Sequence, residues 1–331
     1  MYNPNLKLWI MFIILIVLFF QILIIDTLNW RNMIDVKYYV EAIKFSKTLS
    51  NSFISGALWS FDFGFVFLSF LLNFFNLDPH YFIPLLISCF IFFPLFKLIE
   101  LYPSFNFFII IALIFSSTYF GLLFNLWRQG ISIAVFYSIL IYSKKQYLSI
   151  LASIFHFNSL LPLVLTRVLL EFKGKKIRLF LILLFLILVS LIPIYFQKFH
   201  LGLNMAYGSI YANNTTYIRL IVYFLIWKLI LFSWNYDLDN SLVKISDYLN
   251  SSFIFCGLIL FFYPSAVERF SHFQQLGLCY MIFLVPKSHN RLRSLSYFFS
   301  FFLLVSISFW GFYHSKIVEL VFSNSVLKSL L

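Results

Sequence analysis

Long apolar runs separated by short polar breaks dominate the chain. A helix needs about 20 mostly apolar residues to cross the hydrocarbon core. On that criterion the pattern predicts spans at 8–25, 58–75, 81–99, 105–124, 129–143, 146–171, 177–196, 217–234, 251–264, 270–286 and 294–313. Polar loops fall at 26–57, 197–216 and 235–250, with no fixed-period repeat and no linker. The expectation is an all-α integral membrane protein, a polytopic bundle of about 10–12 transmembrane helices forming one domain over residues 1–331. The run 8–25 is too long for a signal-peptide core and has no small-x-small cleavage site, so it reads as a retained first span.

The run 146–171 stands apart. Lys144 and Lys145 precede it, and Lys173, Lys175, Lys176 and Arg178 follow. Basic flanks favour the cytoplasm, and a simple crossing cannot put both there. A re-entrant helical hairpin can, turning near His156, Asn158, Ser159 and Pro162. Non-helical backbone at that depth is tolerated only against protein or a water-filled cavity. The alternative is one long tilted helix. With the hairpin, Arg128, His156 and Arg269 all reach toward the outer side. The same count leaves loop 26–57 inside, in conflict with an outward role for it.

Composition agrees with the pattern. The apolar fraction is 62% and only 11% of residues are charged, against about a quarter in soluble domains. A net charge of +12 would suggest nucleic acid in a soluble protein. Here the basic residues sit in short loops, so topology explains them and nucleic acid is excluded as a partner. The 47 Phe and 20 Tyr suit a lipid-facing surface. Cys89, Cys256 and Cys279 lie in apolar runs without metal-ligand or disulfide spacing, and read as small buried hydrophobes.

Ionisable residues within spans are costly and functional by default. Three places qualify. Asn125-Leu126-Trp127-Arg128-Gln129 opens a short apolar run; a guanidinium fork suits a pyrophosphate, though a snorkelling arginine is the bland alternative. His156 can exchange a proton near neutrality, or merely satisfy a backbone carbonyl. Glu268-Arg269, with His272, Gln274 and Gln275 beyond, lies between two apolar runs; its plainer reading is a local ion pair. There is no P-loop, nucleophile elbow or His-Glu-x-x-His zinc motif. Asp237-Leu238-Asp239 has the spacing of metal-dependent sugar-nucleotide transferases but no nucleotide-binding domain around it. Asn213 and Asn214 open Asn-x-Thr triplets that matter only in a glycosylating compartment.

The block Trp127-Arg128-Gln129-Gly130-Ile131-Ser132-Ile133-Ala134, the basic turn Lys144-Lys145, and Ala152-Ser153-Ile154-Phe155-His156-Phe157-Asn158-Ser159 resemble the EpsG family. That family comprises bacterial multi-span proteins of exopolysaccharide, capsule and O-antigen assembly, with Wzy-type repeat-unit polymerases among them. Asp35 with Tyr38 and Tyr39 is similar to its early Asp-x-x-Tyr element. Asp62-Phe63-Gly64-Phe65 is similar to its Glu-x-Gly-Phe element, with Asp where Glu is usual. Glu268-Arg269-Phe270-Ser271 is similar to its late arginine element. A single span before Asp35 departs from family members that have two.

The resemblance implies a metal-independent, cofactor-free polymerase of the bacterial inner membrane, with its active site on the outer face. It would join polyprenyl-pyrophosphate-linked oligosaccharides, beside a flippase and a chain-length regulator. Arg128 and Arg269 would stabilise the leaving pyrophosphate, and His156 or Asp35 would act as base. Gln129, Tyr38, Tyr39, Asp62, Asn158, Glu268 and His272 would bind substrate. Two other classes fit the same residues: a transferase using a polyprenyl-phosphate sugar, with its acid at Asp26 or Asp35, and a lipid-linked oligosaccharide flippase. The flippase reading should show broken helices in matching halves, and no internal duplication is visible.

Overall fold

The computed structural model describes residues 34–48, 62–101, 108–143, 146–156, 214–234, 240–259, 264–286 and 290–314, with a few isolated positions besides. Among them every regular element is helical. The elements are α1 (Ile34–Phe45), α2 (Phe63–Phe74), α3 (Pro79–Leu101), α4 (Phe108–Ile114), α5 (Ser117–Phe124), α6 (Trp127–Tyr142), a 3₁₀ helix (Gln146–Ile154), α7 (Asn214–Trp234), α8 (Asn240–Ile259), α9 (Pro264–Phe283) and α10 (Arg291–Tyr313). Among the described residues three stretches are long and apolar enough to cross a membrane: Pro79–Glu100, Tyr217–Trp234 and Arg291–Tyr313. The chain is an all-α membrane protein.

It divides into two compact units. One comprises Met1–Ser159, Phe283–Val285 and Val305–Leu331; the other comprises Leu160–Ile282 and Pro286–Leu304. In the first unit α3 and α6 pack along each other. Pro94, inside α3, has no N–H for the carbonyl of Phe90. Ser138 of α6 supplies the missing donor, its Oγ donating to Phe90 O at 2.9 Å. A membrane helix keeps an internal proline by such a repair from its neighbour. One turn on, Tyr142 stacks on Phe93 at 4.4 Å and donates to the Phe93 carbonyl.

Several predicted boundaries move. The run 105–124 is two helices, not one. Ser116 Oγ donates to Leu113 O at 2.7 Å, closing α4, and accepts from Tyr119 N at 3.1 Å, opening α5. Of the run 58–75, the described part holds α2, with Asp62 at its N-cap position. The polar segment 235–250 is helical from Asn240. Asn250 in this segment bonds a neighbouring helix: Trp227 Nε1 donates to Asn250 Oδ1 at 2.9 Å. Glu268 and Arg269 lie within α9, which Pro264 opens; proline suits a first helical position because its missing N–H is not needed there. Cys256 and Cys279 are buried, but Cys89 is exposed on α3, as a weakly polar thiol facing lipid can be. The 3₁₀ helix ends at Ile154, followed by a turn at Phe155. The rest of the run 146–171, most of span 8–25, all of span 177–196 and Asp237–Asp239 lie outside the described residues.

In the second unit, the described side chains of α9 from Phe270 to Ile282 are buried, although they include Ser271, His272, Gln274 and Gln275. Gln274 Nε2 reaches Ser252 Oγ at 3.3 Å and Cys256 Sγ at 3.2 Å on α8. Such side-chain bonds hold helices together where lipid provides no hydrophobic drive between them. Phe255 meets Phe270 edge-on at 4.8 Å across the same pair of helices.

Candidate functional site

The break between α5 and α6 creates the site. The Gly121 carbonyl accepts from both Asn125 N and Leu126 N, at 3.1 and 2.7 Å, which ends α5. Trp127 Nε1 folds back onto Leu123 O at 2.7 Å. Helix α6 then starts afresh, with Arg128 in its first turn. Gly130 permits the tight join: a Cβ there would stand 2.8 Å from the Leu122 carbonyl oxygen and 2.8 Å from Ile87 Cδ1. The small residue after the Arg-Gln pair is therefore a packing requirement.

A cation in the first turn of a helix faces the positive end of the macrodipole, an unfavourable place unless an anion is near. Asp62 provides one. Arg128 Nη1 lies 3.3 Å from Asp62 Oδ2, and His156 Nδ1 lies 3.4 Å from the same oxygen. The three side chains are 20%, 23% and 11% exposed for Arg128, Asp62 and His156. Both contacts are longer than the roughly 2.8 Å of a compact charge-assisted bond.

Asp62 occupies the N-cap position of α2 yet makes no side-chain cap bond. An aspartate there normally accepts from the helix N–H groups, worth about 1 kcal/mol. Here that stabilisation is forgone and the carboxylate turns to Arg128 and His156. The start of α6 likewise has no side-chain cap. Two uncapped helix N-termini thus flank the cluster, and each favours negative charge.

Close approach of α2 to the 3₁₀ helix brings His156 into range. A Cβ on Gly64 would fall 2.8 Å from Ile154 Cγ2, 2.9 Å from Phe155 Cδ1 and 3.0 Å from Ile154 O. Tyr39 of α1 walls the other side. Its ring stacks on Trp127 at 5.6 Å, tilts against Phe65 at 5.2 Å, and has the Arg128 guanidinium 6.0 Å from its centroid. Asn73 fixes α1 on α2 by donating to the Ile43 and Ser46 carbonyls. Residues far apart in sequence, Tyr39, Asp62, Arg128 and His156, therefore form one constellation.

Other residues singled out from the sequence are placed differently. Gln129 is buried next to Arg128 in α6, and Tyr38 is exposed on α1, on another face from Tyr39. Asp35 stands on α1 one turn before Tyr39, and Arg269 and Glu268 stand on α9 in the second unit; these three side chains lie outside the described residues, as does Asn158. His272 is buried on α9. Trp127 as the stacking partner of Tyr39 was not singled out, although it stands beside Arg128 in the sequence. A second His–Asp contact was also missed: His80 Nδ1 lies 2.9 Å from Asp78 Oδ1 at the start of α3, with the His80 ring edge-on to Trp127 at 6.2 Å. Among the described residues no three His, Cys, Asp or Glu side chains gather as a metal site.

A family model for the EpsG family matches residues 10–324, a stretch that includes every helix from α1 to α10. The chain belongs to the EpsG family. No curated protein and no solved structure matches it. The EpsG family is associated with Wzy-type polysaccharide polymerases, and this EpsG protein is accordingly a membrane protein of polysaccharide biosynthesis. In its first unit, the family-like elements around Tyr39, Asp62, Arg128 and His156 converge.

Proposed function

We propose that this EpsG protein polymerises polyprenyl-pyrophosphate-linked oligosaccharide repeat units at the outer face of the bacterial inner membrane. The observation that carries the reading is the single carboxylate oxygen of Asp62 shared between Arg128 and His156. With the proton on Nδ1, His156 donates to Asp62 and leaves Nε2 as the base. An imidazole oriented by a carboxylate is a recurrent way to deprotonate a hydroxyl.

The acceptor is a sugar hydroxyl of one lipid-linked unit. Its oxygen forms a bond to the anomeric carbon of the growing glycan, and its proton passes to His156 Nε2. The bond from that carbon to the pyrophosphate oxygen breaks, releasing polyprenyl pyrophosphate. Negative charge builds on the leaving group, and Arg128 offers it a planar fork of donors at a helix end that favours anions. Asp62 holds Arg128 until the pyrophosphate competes for it; the loose 3.3 Å contact suits such an exchange. Arg269 is proposed as a second contributor, and Asp35 as the alternative base. Guanidinium groups take the place of a divalent cation, so the reaction is proposed to be metal-independent. A flippase and a chain-length regulator are the proposed partners.

Deletion of the gene is expected to leave single lipid-linked repeat units in place of long polymer, read as loss of the polymer ladder on a gel with the one-unit species retained. Loss of the one-unit species as well would point to a single-sugar transferase acting earlier, and would overturn the polymerase reading.

A further inference from the structure

We infer that Ser132 is a positioning residue that sets His156 against Asp62; this rests on the polymerase reading above. Ser132 is fully buried in α6, one helical turn after Arg128, so the two share a face of the helix. Its Oγ donates to the Ala152 carbonyl at 2.8 Å and stands 3.4 Å from the His156 carbonyl. The Ala152 carbonyl also accepts from Phe155 N at 3.1 Å and His156 N at 3.4 Å, closing the turn that presents the imidazole. Ser132 therefore grips that turn at its first and last residues.

The opposite side of the same turn meets Gly64, which has no room for a side chain against Ile154 and Phe155. The segment 152–156 is clamped between α6 and the start of α2. Those two elements also carry Arg128 and, at the cap, Asp62. One helix thus supplies the guanidinium and, a turn later, the hydroxyl that fixes the base. A long 3₁₀ run needs such outside support, because its own hydrogen bonds are poorly aligned.

The test uses the full-length protein, reconstituted in liposomes with a lipid-linked repeat unit, and the variants Ser132→Ala and Ser132→Thr. Ser132→Ala is expected to lower kcat about tenfold, as the loss of one such bond allows, with KM unchanged, and Ser132→Thr to restore it. A second reading needs no turnover. The rate at which diethyl pyrocarbonate modifies His156, followed by mass spectrometry, should rise in Ser132→Ala and return to the wild-type value in Ser132→Thr. An unchanged modification rate in Ser132→Ala overturns the positioning role whatever the polymer assay gives. Wild-type protein that makes no polymer overturns the polymerase reading alone. A fall in activity that Thr does not restore, with melting temperature lowered in both variants, reduces Ser132 to a packing residue and also overturns the proposal.

Discussion

Arg128→Lys is expected to stop polymer formation while leaving the protein folded. An ammonium keeps the charge but not the fork: it cannot hold Asp62 and also span two oxygens of a pyrophosphate. Removing one well-placed donor from a developing anion costs about 100- to 1000-fold in turnover, and the lysine variant should fall in that range. The packing around it should survive, since Trp127 still stacks on Tyr39 and still donates to Leu123. The check is initial rate beside melting temperature for the purified variant. Full activity in Arg128→Lys would remove Arg128 from the chemistry.

Asp62 gives the second large effect, because two partners depend on one oxygen. Asp62→Asn is expected to lower kcat by about 100-fold or more, since a neutral amide does not balance Arg128 and its NH2, turned to His156, holds the wrong tautomer. Asp62→Glu should stay within about tenfold of wild type. The resemblance read from the sequence implies Glu at this position, and a glutamate keeps the charge that faces Arg128 and His156 at 3.3 and 3.4 Å. A purely structural cap would behave in the opposite way: Asn caps a helix as well as Asp does, and Glu caps poorly. The order of activity between Asn and Glu at residue 62 therefore separates catalysis from capping in one pair of measurements.

The hydrophobic pattern made the membrane class legible, and spans such as 81–99, 217–234 and 294–313 correspond to α3, α7 and α10 because each is a continuous apolar run long enough to cross. The pattern failed where a polar residue within an apolar run makes a backbone bond. Ser116 divides α4 from α5 through its own hydroxyl, and hydropathy averages over one serine. It failed again at Asn240–Asn250, a polar stretch that is nonetheless helical, with Asn250 bonded to Trp227 of α7.

The site was partly legible. Arg128 and His156 stood out as interruptions of apolar runs, and the resemblance drew Tyr39 and Asp62 into the list. Their meeting was not legible, since it depends on Gly64 admitting the 3₁₀ helix and on Gly130 admitting the Leu122 carbonyl. Asp62, expected from the resemblance to bind substrate, also stands within 3.3 Å of Arg128 and 3.4 Å of His156, a meeting the sequence did not show. Ser132 stood in the sequence only as one member of the 127–134 block, with no role assigned; its bond to Ala152 appears only once the 3₁₀ helix is in place.

The most direct test of the account is polymer synthesis by the purified protein alone, in liposomes containing one defined polyprenyl-pyrophosphate-linked repeat unit and a metal chelator. The account predicts a ladder of products spaced by one repeat unit, with one polyprenyl pyrophosphate released for each bond formed. Recovery of the repeat unit unchanged, or elongation that appears only when a polyprenyl-phosphate sugar is added, would contradict it.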